Sequence, residues 1–141
     1  MRLSNIAYSV SQPCLILAGA YVLPLGFSIA HRDGLWLLFL GHIGGMIAII
    51  LALRLLNRAP RELTIREAFL IVALSWATLA FFGCLPFVFS GAIPSLSGAF
   101  FESMSGFTTT GATVLLDIEV VPKSLLVWRS MTHWLGGMGV I

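Results

Sequence analysis

Phe107-Thr108-Thr109-Thr110-Gly111-Ala112-Thr113 is a polar stretch of extended character that lies between long apolar segments and follows a short amphipathic one. Polar backbone groups at membrane depth must be buried in protein or must line water. Threonine carbonyl and hydroxyl oxygens arranged around one glycine can replace the hydration shell of a passing cation. The stretch therefore predicts a cation pathway, and the alternative is a structural loop buried between helices.

The composition is typical of an integral membrane protein, since 58% of the residues are apolar and only 10% are charged. The net charge of +2 is too small to indicate a nucleic acid partner, so membrane lipid is the expected surrounding. Cys14 and Cys84 lie in apolar stretches without a partner at metal-ligand spacing, which predicts inert buried thiols. We expect an all-α integral membrane fold.

Four apolar segments are predicted to be transmembrane helices, because about 20 apolar residues span a bilayer. They cover residues 6–30, 35–53, 68–89 and 125–141. The last would be only about 25 Å long, less than the ~30 Å hydrocarbon core, so we expect it to be incomplete and the chain to be an amino-terminal fragment. Pro13 and Pro24 predict a kink or a loose first turn in the first segment.

Basic residues predict the orientation of these segments. Arginines cluster between the second and third segments, at Arg54, Arg58, Arg61 and Arg66. The positive-inside rule places this loop and Met1, with Arg2, in the cytoplasm and residues 90–124 outside. Asp117 and Glu119 would then either attract cations to an outer mouth or be solvated loop charges.

The outer segment predicts a half-length helix followed by an extended stretch that leads the chain back towards the outside. Ser95 or Ser97 can cap a helix that runs to Gly106, and about twelve residues give ~18 Å, enough to dip halfway into a membrane. Its carboxyl end would point a partial negative charge at the threonines. Gly111 permits backbone angles closed to other residues, so that successive carbonyls can be aimed along an axis.

Two polar groups inside apolar segments have alternative interpretations. Glu102 would be costly against lipid, so we expect it to anchor the half-helix by pairing with Arg129 or with backbone amides, the alternative being a cation ligand. Arg129 could instead extend to the interface. His42 and His133 are either helix-packing groups or proton relays. Close helix packing is expected at the glycines of the second and fourth segments, which are Gly41, Gly44, Gly45, Gly136, Gly137 and Gly139.

A longer block of residues resembles a known family. The stretch GAFFESMSGFTTTGAT over residues 98–113, followed by Trp128-Arg129-Ser130 and by HWLGGMG over residues 133–139, is similar to the first pore repeat of the TrkH/KtrB potassium transporters, and closest to their TrkH branch. Two leading spans before the first pore unit are also found in that branch. The resemblance divides the chain into two leading helices with a basic loop, 1–66, and a first pore repeat, 67–141.

The resemblance implies potassium uptake across the bacterial inner membrane. It implies that Thr109, Thr110, Gly111 and Ala112 form one of four selectivity-filter strands, with potassium at the first three and with Thr108 and Thr113 as flanking residues. Glu102 and Arg129 would support that strand. The family works as a homodimer with a cytoplasmic nucleotide-binding subunit, TrkA, and needs no cofactor besides the transported ion.

The resemblance also limits what this chain is expected to do. One strand cannot surround an ion, so we expect the chain alone not to conduct, and the alternative is a non-conducting accessory subunit or a truncated remnant. We expect no enzyme activity and no catalytic residues, because Ser75, His133 and Glu102 form no catalytic constellation by spacing.

Overall fold

The computed structural model describes residues 3–57 and 63–139. Predictions that involve Met1, Arg2, Arg58, Arg61 and Ile141 therefore lie outside the described residues. The described part folds into six α-helices, which are α1 Leu3–Ala20, α2 Val22–His31, α3 Trp36–Leu56, α4 Ile65–Phe89, α5 Leu96–Phe107 and α6 Lys123–Met138.

The expected fold class is confirmed. Three helical segments are long and apolar enough to cross a membrane, namely Ser4–His31, Trp36–Leu56 and Ile65–Phe89. The chain is therefore an all-α integral membrane protein segment, with the shorter α5 and α6 packed beside the spans. The division at residues 66 and 67 stays a prediction, and it falls in the first turn of α4.

The first span is divided into α1 and α2 at Tyr21, a residue that keeps helical backbone angles, so the loose turn that the sequence predicted within one helix lies here. Pro13 lies inside α1 without ending it. Pro24 has no amide hydrogen for the carbonyl of Ala20, and its ring crowds that carbonyl, which places the break about four residues before it. As a result α1 packs on α3 and α4, whereas α2 packs mainly on α6.

The third span begins earlier than predicted. Thr64 and Glu67 form a capping box, in which the Glu67 amide donates to Thr64 Oγ1 over 3.3 Å and the Thr64 amide donates to Glu67 Oε2 over 3.1 Å. This reciprocal pair satisfies free amides at a helix start. The helix therefore starts at Ile65 rather than Ala68, and Arg66 lies in its first turn rather than in the loop.

The other boundaries differ by a few residues from those predicted. The second span runs from Trp36 to Leu56 rather than over 35–53, and α6 begins at Lys123 rather than at Leu125. The core between the helices is rich in large aromatic side chains, and its most completely buried members are Trp128, Tyr21, Phe39, Phe87 and Phe107.

Close helix packing at glycines is confirmed at Gly136 and Gly139, and it stays a prediction at Gly137 and at the glycines of α3. A side chain at Gly136 would overlap the backbone of Phe107, and one at Gly139 would come within 3.3 Å of Trp76. Among the described residues nothing lies within 4 Å of a side chain built at Gly41, Gly44, Gly45 or Gly137. Gly41 and Gly45 instead line an open groove between α3 and α4, opposite Phe82, Leu85 and Phe89.

Candidate ion-binding site

The half-length helix α5 is present as predicted. Ser95 is its N-cap, and Ser95 Oγ accepts a hydrogen bond from the Gly98 amide over 3.3 Å. Its twelve residues, Leu96–Phe107, give a length of about 18 Å, which is roughly half of the distance across a bilayer. The helix packs on α4 and α6, so its carboxyl end is placed among the spanning helices.

The carboxyl end of α5 is closed by two backbone hydrogen bonds. The Thr109 amide donates to the Gly106 carbonyl and the Thr110 amide donates to the Ser105 carbonyl, each over 2.9 Å. This pattern is a Schellman motif, whose left-handed residue is usually glycine. Here Thr109 occupies that position with a φ of 55°. A residue with a Cβ in this conformation costs about 1–2 kcal/mol, and such strain is concentrated at functional sites.

Beyond Thr109 the chain runs without regular secondary structure, as the polar stretch predicted. Gly111 has a φ of 79°, in the left-handed region that favours glycine. Thr108 Oγ1 lies 2.8 Å from Thr110 Oγ1 and also donates to the Met104 carbonyl over 2.8 Å. Residues 108–113 are all exposed in this segment. The strand therefore presents an open face that carries four threonine side chains.

Ser105 is a site residue that sequence reasoning missed. Its side chain is buried, and Ser105 Oγ donates to the Ala112 carbonyl over 2.6 Å. The bond ties the extended strand back to α5, seven residues earlier in the chain. It also occupies one lone pair of the Ala112 carbonyl, so that this oxygen is less available to an ion than one without such a bond. A hydroxyl-bearing residue two positions before the end of the half-helix was the available signal.

Glu102 lies at the centre of a second connection. Its carboxylate is completely buried, and Arg129 Nε lies 2.6 Å from Glu102 Oε1, in the pairing that the sequence suggested. Thr113 Oγ1 donates to the same carboxylate at 2.9 and 3.0 Å, and the Val114 amide donates over 2.9 Å. The carboxylate therefore joins α5, α6 and the far end of the extended strand.

The two intramembrane histidines are bonded within their own helices. His42 Nδ1 lies 2.7 Å from the Leu38 carbonyl, and His133 Nδ1 lies 3.0 Å from the Arg129 carbonyl. The His42 ring also packs against the rings of Tyr21 and Phe89. These contacts agree with helix packing. Within residues 3–57 and 63–139, no three His, Cys, Asp or Glu side chains are grouped as metal ligands.

The fold and the site define a class of membrane protein. In this class a half-length helix packs beside spanning helices and is followed by a threonine-glycine stretch without regular secondary structure. The family model described as TrkH, cation transport protein, matches residues 40–141. The chain therefore belongs to the TrkH family of cation transport proteins.

Curated relatives match nearly all of the chain. It is 43% identical over 120 residues to the Trk system potassium uptake protein TrkH of Halomonas elongata, covering 84% of this chain and 25% of that protein. It is 42% identical over 144 aligned positions to the Trk system potassium uptake protein TrkH of Escherichia coli strain K12, covering 100% of this chain and 30% of that protein. An uncharacterized cation transporter of Methanocaldococcus jannaschii is 36% identical over 122 residues, with 85% of this chain covered. The chain thus spans between a quarter and a third of the length of these relatives.

Proposed function

We propose that the protein takes up potassium and that this chain supplies one of four strands of its selectivity filter. The observation that carries the proposal is the exposed strand 108–113, held at the carboxyl end of a half-length helix among membrane spans. Relatives of 42–43% identity are named potassium uptake proteins, which supports the choice of ion.

Thr109, Thr110, Gly111 and Ala112 are the proposed ion-binding residues, with potassium at the first three. Their carbonyl and hydroxyl oxygens would replace water around a dehydrated cation. The negative end of the α5 dipole adds a favourable charge at the same place. The Ser105 hydrogen bond to the Ala112 carbonyl agrees with a smaller contribution of Ala112 to ion binding.

Glu102 and Arg129 are proposed to support the strand rather than to bind the ion. All the partners of the carboxylate described above are protein groups, and one of them is a cation. The strand is open on its other side, so three further strands are needed to enclose an ion, and the segment alone is proposed not to conduct. A non-conducting accessory subunit is the second candidate, favoured by that same open face.

The setting proposed for the protein follows the family resemblance. It is a multi-pass protein of the bacterial inner membrane, with a cytoplasmic amino terminus and residues 90–124 outside. It acts as a homodimer with the nucleotide-binding subunit TrkA, uses no cofactor and is not an enzyme. The name Trk system, which the relatives carry, supports an assembly of several components.

Gly111→Ser in the complete native gene product tests the filter assignment. The matched control is Gly91→Ser, because Gly91 has a φ of 77° and equally open surroundings but lies in the turn after α4. Both substitutions impose the same backbone strain of about 1–2 kcal/mol. Rubidium uptake into vesicles and the preference for potassium over sodium are measured for each variant.

The two variants are expected to differ in ion preference. At about 1.4 kcal/mol for each factor of ten, Gly111→Ser should lower the preference for potassium about tenfold, while Gly91→Ser leaves it at the parent value. Unchanged flux and unchanged preference in Gly111→Ser would contradict the filter assignment. Absence of rubidium uptake by the parent protein itself would favour the accessory subunit.

A further inference from the structure

Helix α4 contains a carbonyl that its own backbone cannot satisfy in the usual way. Pro86 lies inside the helix, and it has no amide hydrogen to donate to the Phe82 carbonyl four residues earlier. The proline ring also crowds the preceding turn, where Gly83 follows Phe82. An unsatisfied carbonyl at membrane depth is costly, because neither lipid nor water is available there as a donor.

Two side chains from outside α4 donate to the consecutive carbonyls of Phe82 and Gly83. The Tyr21 hydroxyl donates to the Phe82 carbonyl over 2.8 Å, and Trp128 Nε1 donates to the Gly83 carbonyl over 2.9 Å. Both side chains are fully buried, and their rings stack with centroids 4.2 Å apart. Tyr21 lies at the break between α1 and α2, and Trp128 lies in α6. The turn of α4 that precedes Pro86 is therefore bonded to one stacked pair of side chains.

The same turn of α4 is the place where the half-length helix packs. A side chain at Gly83 would come within 2.6 Å of Ser103 Oγ and 2.7 Å of the Phe107 ring. Phe107 is the last residue of α5 and directly precedes the threonines of the strand. A shift of the Phe82–Gly83 turn would thus be transmitted to the helix end that positions Thr109 and Gly111.

We propose that Tyr21 is a positioning residue for the filter, acting through the turn of α4 that precedes Pro86. The leading helices then contribute to ion selectivity without touching the ion, since one hydroxyl group replaces the backbone donor that Pro86 removes. This inference rests on the proposed function of the strand. Its distinctive consequence is that Tyr21 is needed only as long as residue 86 is a proline.

Tyr21→Phe in the complete native gene product removes only the hydroxyl and keeps the stacked ring. The matched control is Tyr8→Phe, which removes the same atom from a tyrosine of α1. Pro86→Ala, alone and combined with Tyr21→Phe, restores an amide that can donate to the Phe82 carbonyl. For each variant the preference for potassium over sodium and the midpoint of thermal unfolding in detergent are measured, with Gly111→Ser run in parallel.

Tyr21→Phe is expected to lower the ion preference about threefold or more and the unfolding midpoint by a few degrees, whereas Tyr8→Phe changes neither. The double variant should match Pro86→Ala alone in both measurements, which is the coupling that a double-mutant cycle detects. Equal effects of Tyr21→Phe with and without Pro86 would overturn the proposal. A change in the unfolding midpoint without any change in preference would overturn it too, because Tyr21 would then be structural only. If Gly111→Ser leaves the preference intact, the filter assignment fails, whatever Tyr21 does.

Discussion

At the scale of single residues, Glu102 has the strongest constraints in the described segment. A carboxylate buried beside hydrocarbon is stable only when its charge and its lone pairs are satisfied. Arg129 supplies the charge, and Thr113 with the Val114 amide supplies hydrogen bonds. The arrangement agrees with an anchor that fixes the end of the strand, and a role as cation ligand would compete with all three partners.

Arg129→Met is therefore expected to destabilise the protein more than Glu102→Gln does. The first change leaves a buried charge uncompensated, which costs about 3–5 kcal/mol. The second keeps the shape and an acceptor oxygen, and it leaves the partly exposed Arg129 with access to solvent, so a cost of about 1–2 kcal/mol is expected. Thermal unfolding of the complete native gene product in detergent measures both. Lys123→Met, at an exposed position of the same helix, serves as the control and should change little. An equal or larger loss for Glu102→Gln would argue against the anchor.

At the scale of elements, the start of α6 depends on a distant loop. Pro122 is the N-cap of this helix and forms no side-chain capping bond. Asp33, in the connection between α2 and α3, accepts from the Ser124 amide over 3.3 Å and from the Leu35 amide over 3.2 Å, and also from the Ser28 hydroxyl. The Asp33 carboxylate thus caps α6, and its negative charge interacts favourably with the positive amino end of the helix dipole.

Asp33→Asn is expected to remove an acid-sensitive part of the stability. Burial raises the pKa of Asp33, but hydrogen bonds from Ser124, Ser28 and Leu35 outweigh this effect and hold the pKa below its usual value. A lowered pKa in the folded state stabilises the protein above the unfolded value of about 3.9, and this contribution is lost as the pH falls through the folded value. The side chain is partly exposed, so a loss of only about 0.5–1 kcal/mol is expected at pH 7.

Unfolding midpoints of parent and Asp33→Asn should therefore differ at pH 7 and approach each other below about pH 4. Asp117→Asn, which removes an exposed loop acid with a local hydrogen bond to the Glu119 amide, should follow the parent throughout. A gap between parent and Asp33→Asn that stays constant down to low pH would show that the carboxylate charge does not cap α6.

Local signals in the sequence predicted the elements better than the contacts between them. Ser95 and the apolar spacing after it placed α5 almost to the residue, since a cap and its helix are neighbours in the chain. Asp33 and Ser124 are separated by 91 positions, and nothing in either neighbourhood indicates the other. The break at Tyr21 was predicted only in part. Pro24 indicates a weak turn, but it does not indicate which helices α1 and α2 contact. The left-handed Thr109 could not be predicted, because glycine is the usual residue there.

At the scale of the whole molecule, the segment has two kinds of open surface. The long spans α3 and α4 expose large apolar side chains such as Leu55 and Phe69, as lipid or neighbouring helices require. The strand 108–113 is exposed and polar, on a chain that covers about a quarter to a third of its relatives. Further filter strands, as proposed above, would cover the polar face.

The orientation of this molecule in the membrane is open to a direct test. Arg54 lies in the last turn of α3 and Arg66 in the first turn of α4, so the positive-inside rule places the connection between these helices in the cytoplasm and the loop before α6 outside. Cysteine is introduced at exposed Leu63 or at exposed Glu119 in a parent whose buried Cys14 and Cys84 are replaced by alanine. In intact spheroplasts a membrane-impermeant maleimide should label Glu119→Cys at once and Leu63→Cys only after permeabilisation. The reverse labelling order would contradict this orientation. The loop before α6 and the threonine strand would then lie on the cytoplasmic side, and α5 could not enter the membrane from outside.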